Sequence, residues 1–141
     1  MFEDILEAIK SRDANVIKGL FSEQALAEAE DIDYAIEYLF DLFDGDVISW
    51  ERGGLIADGS SRHGKSSYQI KVWYTVYTEK SKYEFLLINY KENMIDPKLK
   101  GLYTLYAVDN TDGNTVKGTC KSWRIRGYIN RRERINWIFT N

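Results

Sequence analysis

The sequence is poor in the residues on which small metal and redox sites depend. Its 141 residues include one cysteine, one histidine and one proline. Cys120 has no second cysteine with which to form an internal disulfide, and His63 alone leaves a zinc site of ordinary composition without enough ligands. We therefore expect no disulfide, no bound metal and no cofactor.

Long hydrophobic runs are also missing. No window approaches the roughly 18 apolar residues of a membrane span, and the start, MFEDILEAIKSRD, lacks the basic-then-apolar layout of a signal peptide. The sequence therefore predicts a cytoplasmic protein with no membrane partner. A length of 141 residues with 44% hydrophobic residues suits one domain, 1–141, which we expect to be helical over 1–45 and a sheet over 46–141.

Charge is distributed unevenly along the chain. Residues 1–46 hold thirteen acidic and three basic residues, a balance of −10, whereas residues 117–134 hold seven basic residues and one acidic residue. The basic stretch interleaves with Trp123, Tyr128 and Trp137, which is the composition of single-stranded nucleic-acid sites. The overall pI of about 5.3 argues against that function, so nucleic acid is not an expected partner.

The first third of the chain has the spacing of amphipathic helices. Apolar residues recur at intervals of three and four in 2–9 and again in 32–43. Asp13 and Ser22 are suited to cap helices between these stretches, and Gly45 is suited to close the last helix in a left-handed conformation.

The rest of the chain is typical of antiparallel strands. Residues 68–90 are rich in aromatic and β-branched side chains and contain one turn signal, Glu79–Lys82, so they predict a hairpin. Further strands are expected at 47–50, 102–108 and 119–128, with a loop or irregular edge at 53–64. Helices followed by strands predict an α+β domain with N-terminal helices packed on a curved antiparallel sheet.

One stretch, Gly59–Ser66, matches the phosphate-binding pattern G-x-x-x-x-G-K-[ST]. That loop normally connects a strand to a helix, whose N-terminal amides face the phosphate. Here Lys65 precedes an alternating strand pattern instead of a helix, so we interpret the match as a coincidence. His63 lies in the same polar stretch, where a solvated side chain is expected rather than a general base.

Four acids share one side of the last predicted helix. Asp33, Glu37, Asp41 and Asp44 follow one another at i, i+4, i+8 and i+11, away from the apolar stripe. Two interpretations stand: a solvated helix surface, or an acidic docking surface for a basic partner. On the first strand of the hairpin, two large aromatic residues, Trp73 and Tyr77, alternate away from the core residues and could contact a partner.

Several segments resemble nuclear transport factor 2-like domains. The start, Leu6–Ala14 followed by Leu20–Ser22, is similar to their opening helix, "D-A" cap and "L-F" pair. Further segments are similar to an uncharacterised bacterial branch of that superfamily, namely Tyr38–Phe40, Gly45, Ser49–Glu51, Gly64–Ser66, the strand with Tyr74, Val76 and Thr78, Asn89–Tyr90, Gly101–Tyr103 and Trp123–Tyr128. The resemblance implies a cone: a strongly curved antiparallel sheet wrapped around helices and open at one end.

That superfamily includes enzymes, ligand carriers and protein-binding modules. Small, acidic proteins of this kind also resemble the immunity proteins of contact-dependent growth inhibition and other polymorphic toxin systems. The resemblance implies a noncatalytic protein that binds a cognate toxin domain, often a basic nuclease. The docking surface that we expect from the residues themselves combines Asp33, Glu37, Asp41, Asp44, Trp73 and Tyr77. A homodimer through the sheet face is a further expected contact.

The alternative function is a small-molecule binder or isomerase-like enzyme that uses the interior of the cone. The candidates for polar groups pointing inward are tyrosines, namely Tyr34, Tyr38, Tyr74, Tyr90 and Tyr106. Buried tyrosines that only satisfy their hydroxyl groups are the other interpretation of this set. A cone filled by Trp50, Phe85 and Leu87 would contradict a ligand cavity.

Overall fold

The computed structural model describes residues 1–29 and 31–109 and the backbone of 122–125. Four α-helices come first, α1 (Phe2–Ser11), α2 (Ala14–Leu20), α3 (Glu23–Glu28) and α4 (Ile32–Leu42). Five strands follow, β1 (Val47–Arg62), β2 (Lys65–Thr78), β3 (Lys82–Asn93), β4 (Gly101–Asp109) and β5 (Ser122–Ile125), with a short 3₁₀ turn at Pro97–Leu99. The expected α+β class with N-terminal helices and an antiparallel sheet is confirmed.

Side-chain caps start three of the helices. The Asp13 carboxylate accepts from the amides of the first turn of α2, the Ser22 hydroxyl accepts from the amide of Ala25, and the Asp31 carboxylate accepts from the amide of Tyr34. These groups satisfy amides that have no partner inside the helix. The predicted caps at Asp13 and Ser22 are therefore confirmed.

The end of α4 differs from the prediction. Gly45 is left-handed, with φ 84°, but the helix already ends at Leu42, and Phe43 is extended. The ring of Phe43 stacks on Tyr83 of β3 at 4.1 Å between centroids. Packing against the sheet therefore ends the helix before the glycine is reached.

The sheet runs β1-β2-β3-β4-β5, and each neighbouring pair is antiparallel. The predicted hairpin around Glu79–Lys82 is confirmed as β2 and β3. The described helices pack on one face of the sheet, here called the inner face. Buried inner-face residues are Val72, Val76, Tyr83, Phe85, Leu87, Leu105 and Ala107. The opposite face, here called the outer face, carries the alternate residues of each strand.

The first strand is much longer than expected. The prediction of a short strand at 47–50 followed by a loop or irregular edge at 53–64 is wrong, because β1 runs without a break from Val47 to Arg62. Gly53 and Gly54 form a bulge in the strand instead of ending it, since the register shifts between Arg52 and Leu55. Glycine and serine are frequent in loops, but pairing with β2 holds them in the sheet here.

Aromatic rings join the helices to the sheet. Phe2 of α1 stacks on Tyr74 at 3.8 Å between centroids and meets the ring edges of Trp50 and Phe85. Ile5, Ile36 and other apolar helix residues belong to the same continuous buried cluster. Burial of this apolar surface is the main force holding the helices on the sheet.

The longest helix of the described residues, α4, has 11 residues, and none of these helices is long and apolar enough to cross a membrane.

Replacing Tyr83 with phenylalanine should lower the free energy of unfolding by about 1–3 kcal/mol, because one buried and one partly buried backbone group lose a partner. The Tyr83 hydroxyl accepts from the amide of Asp44 at 2.7 Å and donates to the carbonyl of Leu42 at 3.1 Å. Chemical denaturation would measure the loss. Tyr68→Phe is the matched control, since Tyr68 is 42% exposed, and equal effects of the two changes would contradict the role given to Tyr83.

Two glycines should respond to alanine with opposite signs. Gly101 has φ +120°, and a Cβ there would lie 3.2 Å from the backbone nitrogen of Ser22, so Gly101→Ala should cost about 1–3 kcal/mol. Gly19 lies in α2 with nothing within 4 Å of its Cβ position, so Gly19→Ala should gain about 0.5–1 kcal/mol. Thermal and denaturant unfolding would measure both, and a stabilising Gly101→Ala would show that the close packing is absent.

Candidate functional site

The exposed side of α4 carries three of the predicted acids, Asp33, Glu37 and Asp41. The expectation that Asp44 shares this side of the helix is wrong, because α4 ends at Leu42 and Phe43 is extended. The four exposed acids are here called the acidic row. Their side chains are between 59% and 70% exposed. The opposite side of the helix buries Ile36, Leu39 and Phe40 in the core. The helical period therefore places Asp33, Glu37 and Asp41 on the surface, as the sequence predicts.

Each member of the acidic row has a basic neighbour. Lys18 of α2 forms an ion pair with Asp33, and Lys80 lies 3.8 Å from a carboxylate oxygen of Asp44. Arg12 donates to both Glu37 and Asp41 at 3.0 Å. Sequence reasoning missed these pairs, since their bases lie on other elements of the fold.

The position of the Arg12 side chain is set by its backbone conformation and by a contact with an aromatic ring. It follows α1 in the left-handed conformation, with φ 54°, and its guanidinium lies 5.4 Å from the centroid of Phe40. Hydrogen bonding to Asp41, with a further contribution from Glu37, raises the pKa of Arg12. The charge of Arg12 is therefore shared between two carboxylates.

These pairs reduce the negative charge of the acidic row without removing it. Three bases, Arg12, Lys18 and Lys80, face four acids. Exposed ion pairs contribute only about 0–1 kcal/mol each, so a basic partner could replace the internal bases at small cost. The three bases of residues 1–46 are also outnumbered by thirteen acids, so the helical layer as a whole is strongly acidic.

Trp73 and Tyr77 lie on the outer face, away from the helices. The Tyr77 hydroxyl donates to Glu51 of β1 at 3.1 Å, and Lys82 lies 6.0 Å from the centroid of its ring. The hydrogen bond to Glu51 is the largest cause of a raised pKa of Tyr77, because ionisation would place a second negative charge beside the carboxylate. Trp73 is half-buried, and its ring lies beside Gly54. Its Nε1 has no hydrogen-bond partner in residues 1–29 and 31–109.

The structure does not bring the two groups of predicted partner residues together. The acidic row belongs to the helical layer, which covers the inner face, whereas Trp73 and Tyr77 belong to the outer face. A single flat partner surface cannot cover both sides of the sheet. Their contact with a partner stays a prediction for each group separately.

The predicted inward tyrosines are only partly inward. Tyr74 lies on the inner face, where burial raises its pKa, but Tyr34 is 45% exposed. Tyr106 lies on the outer face, since it pairs with Leu86 in the row of Trp73, so its assignment as an inward residue was wrong. The sequence missed Tyr83, a fully buried tyrosine, because its hydroxyl partners are backbone groups distant in the chain.

The phosphate-binding match forms the tip of the β1-β2 hairpin. Arg62 pairs with Lys65 across a two-residue turn of His63 and Gly64, both with positive φ. Such a turn joins two strands and offers no helix N-terminus to a phosphate. The interpretation as a coincidence is confirmed, and His63 is exposed as expected.

Two buried polar atoms of the sheet, Asn89 Oδ1 and Thr104 Oγ1, have no hydrogen-bond partner among the described residues. Their residues lie on opposite faces, so they do not converge on one ligand. In the described part of the chain, no three His, Cys, Asp or Glu side chains are grouped as metal ligands would be. Cys120 and the side chains of the basic stretch at 117–134 lie outside the described residues.

Changing Glu51 to glutamine should lower the pKa of Tyr77 towards its ordinary value, because the carboxylate that resists ionisation becomes neutral. The pKa is measured from the phenol carbon resonance of Tyr77 in an NMR titration. Glu84→Gln is the control, since Glu84 is the smallest cause of the shift. An unchanged pKa in Glu51→Gln would mean that the hydrogen bond is absent in solution.

Comparison with known proteins identifies a family and no characterised relative. No curated protein matches the chain. The model of the family described as "Domain of unknown function (DUF5104)" matches residues 4–110, from α1 to the end of β4. Since this match covers more than half of the 141 residues, the chain belongs to that family.

Proposed function

We propose that this protein is an immunity protein, which binds a cognate toxin domain and neutralises it in the bacterial cytoplasm without doing chemistry. The observation that carries the proposal is the exposed acidic row, three of whose members lie on α4, on an acidic helical layer. Such a surface attracts a basic partner from a distance and accelerates their association. A nuclease domain is the proposed partner, because proteins that bind nucleic acid carry positive charge.

The packing between helices and sheet supports a surface function over the alternative of a ligand cavity. Phe85 is 1% exposed and Leu87 is 2% exposed, and Phe2 stacks over the neighbouring Tyr74. Trp50 is buried less completely than Phe85 and Leu87, since it is 37% exposed. Its ring meets that of Phe2 in an edge-to-face contact. Apolar side chains therefore occupy the space in which the alternative would place a substrate.

The proposal includes the cone of nuclear transport factor 2-like domains as the fold. Register shifts between Arg52 and Leu55, between Tyr68 and Gln69, and between Ile88 and Asn89 support a curved sheet, because bulges bend strands and increase their twist. An experimental structure of the whole chain, superposed on members of that superfamily, tests this part independently of the function.

The proposal predicts that a gene next to that of this protein encodes the toxin domain, and the decisive experiment uses the product of that gene. Co-expression should restore the growth of a bacterial host that produces the toxin domain, and the purified proteins should form a stable complex in which nuclease activity is lost. A toxin domain that stays active in the presence of excess protein would overturn the proposal. A ligand-dependent rise in melting temperature without a protein complex would favour the alternative.

Reversing one charge of the acidic row should weaken the complex with the toxin domain. Glu37→Lys should lower the affinity about tenfold and mainly slow association, because it places a positive charge beside Arg12 where a cationic partner docks. Surface plasmon resonance at two salt concentrations measures both effects. Glu92→Lys on β3 is the matched control, since it makes the same exposed charge change away from the row, and it should alter the affinity less than about twofold. Equal effects of the two changes would remove the acidic row from the interface.

A further inference from the structure

The free edge of β1 is a surface that the proposed function does not use. Within the described residues β1 pairs with β2 alone, and it stands first in the strand order. All 16 of its residues are exposed, including the large apolar residues Ile48, Leu55 and Ile56. An edge strand offers a row of backbone donors and acceptors to any second strand that comes alongside.

One part of this edge lacks the usual protection against pairing. From Leu55 to Arg62 the register with β2 is continuous, without a bulge. The stretch contains no proline and no lysine, and its only charged residues are Asp58 and Arg62. Proline, lysine and bulges are the features that keep natural sheet edges apart. This eight-residue stretch, here called the open edge, is therefore able to accept another strand.

The charges of the open edge form no salt bridge within the part of the chain that the structure describes. Asp58 and Arg62 share the outer face, but four residues of strand separate them by about 13 Å, which is too far for an ion pair. Arg62 lies directly opposite Lys65, a pairing of like charges that destabilises a sheet. Among the described residues none of these three side chains forms a salt bridge.

The charges of the open edge are complementary to those of a second copy of the same edge. When two copies of the open edge pair antiparallel about a two-fold axis, directly opposite side chains point to the same face of the joined sheet. This is possible only if one residue at the centre of the contact lies opposite the same residue of the other chain. In a register centred on Asp58, the two Asp58 carboxylates would lie opposite each other. In a register centred on Gly59, Asp58 would lie opposite Ser60. A centre at Ser60 places Asp58 of each chain opposite Arg62 of the other, twice by symmetry.

We propose that the open edge binds a second copy of this chain, β1 against β1, in the register centred on Ser60. Ser60 is small, and its hydroxyl lies 2.8 Å from that of Ser67, so the centre of the contact leaves room for close approach. The exposed side chain of Ile56 then faces the hairpin tip of the other copy. The contact lies near the end of the hairpin, so the two helical layers lie towards opposite ends of the joined sheet.

Sedimentation equilibrium from about 1 μM to about 1 mM tests the proposal, because a short edge contact gives concentration-dependent dimers. Asp58→Arg should weaken dimerisation about tenfold, since two attractive pairs become two repulsive ones. The swap Asp58→Arg with Arg62→Asp should restore the dissociation constant to within about twofold of the original. The exposed Glu92→Arg on β3 is the control and should leave it unchanged.

Circular dichroism and melting temperature check that each variant is folded. A monomer over the whole concentration range overturns the proposal, and so does a dimer that Asp58→Arg leaves intact, which would indicate another interface. A swap variant that stays as weak as Asp58→Arg overturns the register. These outcomes are independent of toxin binding, because the toxin domain is absent from the experiment.

Discussion

The end of α4 is held by one hydroxyl group. Tyr83, fully buried on β3, binds both the last carbonyl of the helix, at Leu42, and the amide of Asp44 that follows it. The ring of Phe43 stacks on the same side chain. A helix end leaves carbonyls without partners, and burying them is costly unless another group satisfies them. Tyr83 therefore fixes where α4 ends and how its acidic row is turned towards solvent.

Local patterns in the sequence were sufficient for most elements of the fold. Helical spacing and the caps at Asp13 and Ser22 predicted the first helices, and alternation with a turn at Glu79–Lys82 predicted β2 and β3. The predictions were wrong where a distant contact overrides a local preference. Gly45 has the conformation of a helix stop, yet Phe43 leaves the helix earlier to reach Tyr83. Gly53 and Gly54 resemble loop residues, yet β2 keeps them in a bulged strand.

In the candidate site too, the sequence predicted what depends on local spacing and missed what depends on contacts between residues distant in the chain. The spacing of Asp33, Glu37 and Asp41 was enough to place them on the exposed side of one helix. Nothing in that spacing indicates that Arg12, in the turn after α1, would pair with two of them. Likewise, alternation placed Trp73 and Tyr77 on one face of β2, but which face the helices cover is decided by the packing of the whole chain.

The two strands of the β1-β2 hairpin differ in the number of their neighbouring strands, and this difference affects the dynamics of the protein. β2 lies between β1 and β3, so its backbone amides are shielded on both sides, whereas only alternate amides of β1 face β2. Within the described residues, the remaining amides of β1 have no strand partner, so they exchange their hydrogens without any opening of the sheet. Protection from hydrogen exchange therefore alternates from residue to residue along β1, whereas it is continuous along β2.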